Sequence, residues 1–179
     1  MKSIIPVFLV VIISSLFFSC KENSLEKQRQ DELKKLNEFM RARYAGQEPK
    51  SSGLYYFVLE EGTGDSIRIG DRVQIFHETM TLDSGYIGHS GPYEALDLVV
   101  LHPNQLTSSA QSVSNLRGLH EALTYMKKGT KARLIFNSYL GFGQYGVPGI
   151  VPGFTSVIME VEVYKHFPVP TAPTNDSGE

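Results

Sequence analysis

Alternation of apolar and polar positions is strongest in two runs near the end of the chain. Ala132, Leu134 and Phe136 alternate with Lys131, Arg133 and Ile135, and Val157, Met159, Val161 and Val163 alternate with Ile158, Glu160, Glu162 and Tyr164. A period of two with one apolar face predicts two half-buried strands. Between the runs, residues 141–153 hold five glycines and two prolines, with Tyr139, Phe142, Tyr145 and Phe154 among or beside them. Glycine admits positive φ and proline fixes it, so this loop follows a set, non-helical path. Held by two strands, its aromatic residues are expected to form one wall of a pocket.

Weaker patterns complete the set. Residues 54–61 read as a first strand, closed by the turn residues Gly62-Thr63-Gly64-Asp65 and Gly70-Asp71. In the second strand Val73, Ile75 and His77 share one face, against Gln74, Phe76 and Glu78. Residues 83–92 are turn-rich, and 93–114 lack a pattern, with SSAQSVS reading as an exposed loop. Leu116, Leu119, Leu123 and Met126 mark the buried face of a short helix over 116–128, stopped by Gly129. No strand–helix–strand alternation occurs. The pattern therefore predicts an α+β fold, with an antiparallel twisted sheet of about five strands wrapped around one short helix, preceded by an N-terminal helix.

That N-terminal helix is expected over residues 23–45, which contain no glycine or proline, with Asn23 and Glu26 as a capping box. Leu25, Leu33, Leu36, Met40 and Tyr44 form one thin apolar stripe, too short for three heptads, so a stalk is favoured over a dimerising helix. Before it, Lys2 and an apolar run from Ile4 to Phe18 have the form of a secretory signal, short for a spanning helix. Leu16-Phe17-Phe18-Ser19-Cys20 resembles a bacterial lipobox, with Phe17 where an aliphatic residue is usual. Cys20 would then be lipidated, and acyl chains at about 0.8 kcal/mol per buried CH₂ would hold the chain to a membrane. The expected layout is a lipoprotein signal peptide over 1–19, a helical spacer and linker over 20–52, a globular domain over 53–167 and a disordered, Pro-rich tail over 168–179. The expected location is the bacterial cell envelope, lipid-anchored, with Lys21 pointing to the outer membrane facing the periplasm.

Composition narrows the chemistry. Hydrophobic residues at 41% and charged residues at 20% fit a folded domain, and a net charge of −2 without a basic face argues against nucleic-acid binding. One cysteine excludes an intramolecular disulfide and a Cys-based zinc cluster. His77, His89, His102 and His120, with Glu78 or Glu121, lack any metal-ligand spacing, so no metal is expected. Asp83 and Glu78 show no pattern of a catalytic carboxylate pair.

From EEGTGD-x4-GD-x-V, through RG-x2-EAL-x-YMKKG-x-KARL, to YLGFGQYGVPGIVPGFTSVIMEVEV, residues 54–166 resemble the FKBP-type peptidyl-prolyl cis–trans isomerases. The resemblance implies isomerisation of X–Pro bonds in proline-containing polypeptides of the envelope, without a cofactor. It places the pocket floor at Leu119, usually Trp, and a backbone N–H for the substrate carbonyl at Leu116. Tyr93 takes a family aromatic position, Phe142 one that is usually Tyr, and Met159 one that is usually Phe. Ile150, Val147 and Val151 fall on the flap; Gly88 and His89 fall where Phe and Asp are usual. The early family Tyr falls at His77 counted from Gly70-Asp71, or at Glu78 counted back from Gly85; strand alternation favours His77, with one extra residue bulging near 79–81. Leu for Trp and Gly for Phe remove aromatic surface, so weak activity is expected. A non-catalytic FKBP-like binding or chaperone module tethered to the membrane is the alternative. The oligomeric state stays open.

Overall fold

The computed structural model describes the backbone of residues 5–170 and the side chains of residues 24–170. The expected signal over 1–19, the Cys20 side chain and the tail beyond residue 170 thus lie outside the described side chains. The chain divides into two compact units, residues 1–45 and 46–179.

The first unit is one helix, α1 (Ile5–Arg43). It runs unbroken through Asn23, so the capping box expected there does not start a helix. With no glycine or proline after Pro6, nothing in residues 7–43 interrupts it. Lys34 and Glu38, one turn apart, form an ion pair on its surface at 4.0 Å.

The second unit carries β1 (Tyr55–Glu60), β2 (Thr63–Ser66), β3 (Arg72–Thr81), β4 (Tyr86–His89), β5 (Leu96–Val99), α2 (Arg117–Leu123), β6 (Lys127–Lys128), β7 (Lys131–Phe136) and β8 (Val157–Phe167). The main sheet has the order β1-β7-β8-β3-β4, with β5 also on β3, and β2 pairs with β6 separately. All pairs are antiparallel. The two runs with the clearest alternation, β7 and β8, are neighbours, with Leu134 opposite Met159 and Ala132 opposite Val161.

Their apolar face meets α2. Leu119, Ala122, Leu123 and Met126 are buried with Val73, Ile75, Leu134, Phe136, Met159 and Val163 in one core. The approach is close at Gly118, where a Cβ would lie 2.9 Å from the Phe136 ring. The helix is shorter than its apolar spacing predicts. Beyond Leu123, Tyr125 N–H and Met126 N–H donate to carbonyls three residues back, tightening the chain into a turn. Met126 C=O then accepts from Ile67, and Lys127–Lys128 pair with β2, so Gly129, at φ 82°, turns the chain into β7 and does not cap a helix.

Two bulges redirect side chains. On β8, Gln74 faces Lys165 but Ile75 faces Val163, so Tyr164 is the extra residue and His166 swings to the inner face. There His166 Nε2 meets the buried Asp71 Oδ2 at 2.8 Å. Asp71 also accepts from Arg68 N–H and, on its other oxygen, from Val169 N–H. Residue 169, within the stretch expected from sequence to be disordered, is thus hydrogen-bonded to the start of β3. The second bulge lies between Thr79 and Met80 in the β3–β4 pairing, at the place expected from sequence, but its extra residue is Ile87 on β4. β3 itself pairs with β8 without a break from Ile75 to Thr81.

Candidate active site

Strand register sets the inner face of β3 in three rows. Ile75 lies between Val163 and Leu96, His77 pairs with Val161 and exchanges backbone and hydroxyl hydrogen bonds with Ser90, and Thr79 lies between Met159 and Gly88. His77 and Gly88 thus share the face of Met159. Glu78 and His89 are each other's cross-strand partners, which places both on the opposite, solvent face. There His89 bonds the Tyr86 hydroxyl, the two rings tilted at 58° with centroids 5.7 Å apart. Neither Glu78 nor His89 joins the inner pocket as the resemblance implied, and of the two candidates for the early Tyr position the inner one is His77.

The floor is apolar and closed. Leu116, Leu119, Phe142, Val151 and Met159 are each at most 2% exposed. Ile87, Leu96, Val113 and Val147 are partly buried and pack on the same cluster. Phe142 sits in the glycine-rich loop between β7 and β8, whose flap closes on itself. Val147 N–H donates to Val151 C=O at 2.8 Å, Val151 N–H returns the bond at 2.9 Å, and Pro148-Gly149 makes the turn. Ile150, at the tip, is 60% exposed.

Two expected site groups stand elsewhere. Tyr93 is 97% exposed on the turn between β4 and β5, where Glu94 N–H bonds Gly91 C=O. The inward side chain on that stretch is Leu96, and the alternation of Leu96, Leu98 and Val100 with Asp97 and Val99 was its signal. Leu116 N–H is not free: it donates to Val113 C=O at 3.2 Å, closing the short 3-10 turn Val113–Asn115.

The patternless stretch before α2 is not a loose loop. Leu106 and Ala110 are buried, and Ser108 C=O presses so closely on Gly143 that a Cβ there would lie 2.1 Å from it. Gln111 donates to Gly146 C=O, and Arg117 Nε donates to Leu106 C=O while its guanidinium covers the Tyr139 ring at 4.9 Å. His120, wholly buried on α2, joins both ends of the stretch: Leu101 N–H donates to Nδ1 at 3.0 Å and Nε2–H donates to Ser114 C=O at 2.8 Å. Burial pushes the His120 pKa down, against the smaller upward pull of the bond to Ser114. Accepting at one nitrogen and donating at the other, the ring is neutral. His102, exposed, accepts from Asn104 N–H and caps the 3-10 turn Pro103–Gln105. Among the described residues no three His, Cys, Asp or Glu side chains gather as a metal site.

An antiparallel sheet closed on one short helix, with an apolar floor under a proline-and-glycine flap, is an FKBP-like architecture. The sequence pattern of the FKBP-type peptidyl-prolyl cis-trans isomerase family matches residues 64–164, and the chain belongs to that family. It is 28% identical over 163 residues to the isomerase FkpA of Escherichia coli K12, covering 90% of this chain and 56% of that protein. It is 31% identical to a probable FKBP-type isomerase of Haemophilus influenzae, over 80% of this chain and 54% of the relative. The chain thus spans only about half the length of these relatives. An FK506-binding protein of Neisseria meningitidis is 28% identical and 95% covered, by 63% of this chain. The crystal structure of Escherichia coli FkpA shares the fold, with a TM-score of 0.64 at 23% identity, over 95% of this chain and 75% of that one.

Proposed function

We propose that the chain is a slow peptidyl-prolyl cis–trans isomerase acting on X–Pro bonds of exported envelope proteins, tethered at the outer membrane by lipidated Cys20. The observation that carries the reading is the contiguous apolar floor of Leu119, Phe142, Val151 and Met159 beneath a family-type flap. Rotation about a peptide bond must break amide resonance, a barrier of about 18–20 kcal/mol. The planar amide, with its charge separation, is better solvated by water than the twisted one. An apolar surface therefore favours the twisted form, and a wall that seats the proline ring supplies orientation. A ten-thousandfold acceleration needs only about 5.5 kcal/mol. No nucleophile, metal or cofactor is required.

Slowness follows from two features. The carbonyl donor of Leu116 is spent on Val113, and Leu119, wholly buried where Trp is usual, must be uncovered before a proline ring can meet it. The same two features favour the second reading, a tethered FKBP-like binding or chaperone module without turnover. The membrane tether rests on the Leu16–Cys20 pattern and Lys21.

A protease-coupled X–Pro peptide assay decides between the readings. Turnover is expected, and Phe142→Ala and Leu119→Ala should each lower it tenfold or more. Absent turnover establishes the binding module in its place, and turnover unchanged in both variants removes the pocket assignment.

A further inference from the structure

On the inner face of β3 an imidazole stands at the edge of the apolar floor. His77 Nδ1 is hydrogen-bonded to Thr79 Oγ1 at 3.1 Å, which draws the ring along the strand toward the row of Thr79 and Gly88. Thr79 is wholly buried and belongs to the row of Met159. Nε2 of the same ring has no partner among the described residues, yet it is not among the sealed, unpartnered polar atoms, of which the Tyr56 hydroxyl is the one example. It is therefore reached by solvent. Burial, and secondarily the charge of nearby His89, push the His77 pKa down, so the ring is neutral at neutral pH and Nε2 is a hydrogen-bonding group without charge.

Gly88 faces it diagonally across the ladder. A Cβ built on Gly88 would meet nothing within 4 Å, in contrast to Gly118, Gly143 and Gly146, where protein atoms fill the space. Diagonal neighbours on one sheet face lie about 7–8 Å apart, within reach of a single long side chain. The result is a notch with an open, side-chain-free wall on one side and an imidazole on the other, abutting the floor at Met159.

We infer that His77 and Gly88 set the preference for the residue preceding proline, favouring a hydrogen-bonding side chain of glutamine length over leucine or phenylalanine. The inference rests on the isomerase reading for the placement of the peptide. An apolar side chain entering the notch would strip water from Nε2 and return nothing, whereas a glutamine amide replaces the lost water.

The test uses the full chain and peptides that differ only at X. For Gln–Pro, kcat/KM should exceed that for Leu–Pro and Phe–Pro by about fivefold to tenfold, the worth of one hydrogen bond. His77→Phe should erase the ratio, His77→Gln should keep most of it, and Gly88→Phe should fill the notch and penalise Gln–Pro more than Leu–Pro. A wild-type preference for Leu or Phe, or a ratio that no variant moves, overturns the inference. Peptide affinities measured alongside separate the two layers. The same Gln-over-Leu order in binding with no turnover sustains the notch and overturns the isomerase reading; turnover without any order overturns the notch alone.

Discussion

Asp71 shows how a single buried carboxylate can hold the start of one strand to the residues that follow another. Burial pushes its pKa up, but the bonds from His166, Val169 N–H and Arg68 N–H outweigh that and hold it below the usual range. A carboxyl with a lowered folded pKa lends stability that is complete above its unfolded value, near 3.8, and is lost as pH falls through the folded one. Asp71→Ala should cost about 1–3 kcal/mol, since it leaves the buried His166 ring and the N–H groups of Arg68 and Val169 without their acceptor. Chemical denaturation at neutral pH measures this, and a loss under about 1 kcal/mol would mean the site relaxes around the gap. His120 acts in a higher window. Its folded pKa, like that of His77, lies below the free imidazole value of 6.5, so the unfolded chain binds protons first on acidification. Thermal stability should hold above about pH 6.5 and decline below it, and His120→Gln should flatten part of that slope.

At the scale of elements, the glycine-rich loop and the stretch before α2 form one fitted pair. Gly143→Ala forces Ser108 C=O away, and φ of 74° at this position strains any side chain. The variant should lower the melting temperature by several degrees and raise hydrogen exchange at residues 106–112 more than in β7 or β8. Exchange confined to the loop would show that the stretch holds without it. The same pair marks where sequence reading stopped. β7, β8 and the flap were legible because each has a local cause, a period of two or a Pro-Gly turn. The 101–115 stretch has none: its order comes from His120 and Gly143, contacts between residues distant along the chain. Tyr93 misled for a related reason. The resemblance put it at a family aromatic position, but the alternation that governs β5 starts three residues later, at Leu96. The faces of His77, Glu78 and His89 depended on a bulge whose position was readable and whose strand, β4, was not.

For the whole molecule, the first unit contributes Cys20 and the second the apolar floor, and the proposed tether is tested independently of the chemistry. Growth with an alkyne-bearing palmitate should label the intact chain, and Cys20→Ser should abolish labelling and release the protein into the soluble fraction. Persistent labelling would place the lipid elsewhere.

The strand order has a consequence for synthesis. β8, the last strand in sequence, lies between β7 and β3, and the Asp71 cluster needs residues 166 and 169. A nascent chain lacking residue 157 onward holds two mates for a strand that does not yet exist. Non-local pairing of this kind delays the folding step until its last partner arrives. The sheet of the second unit should therefore resist proteolysis only in ribosome-bound chains that already extend beyond residue 169.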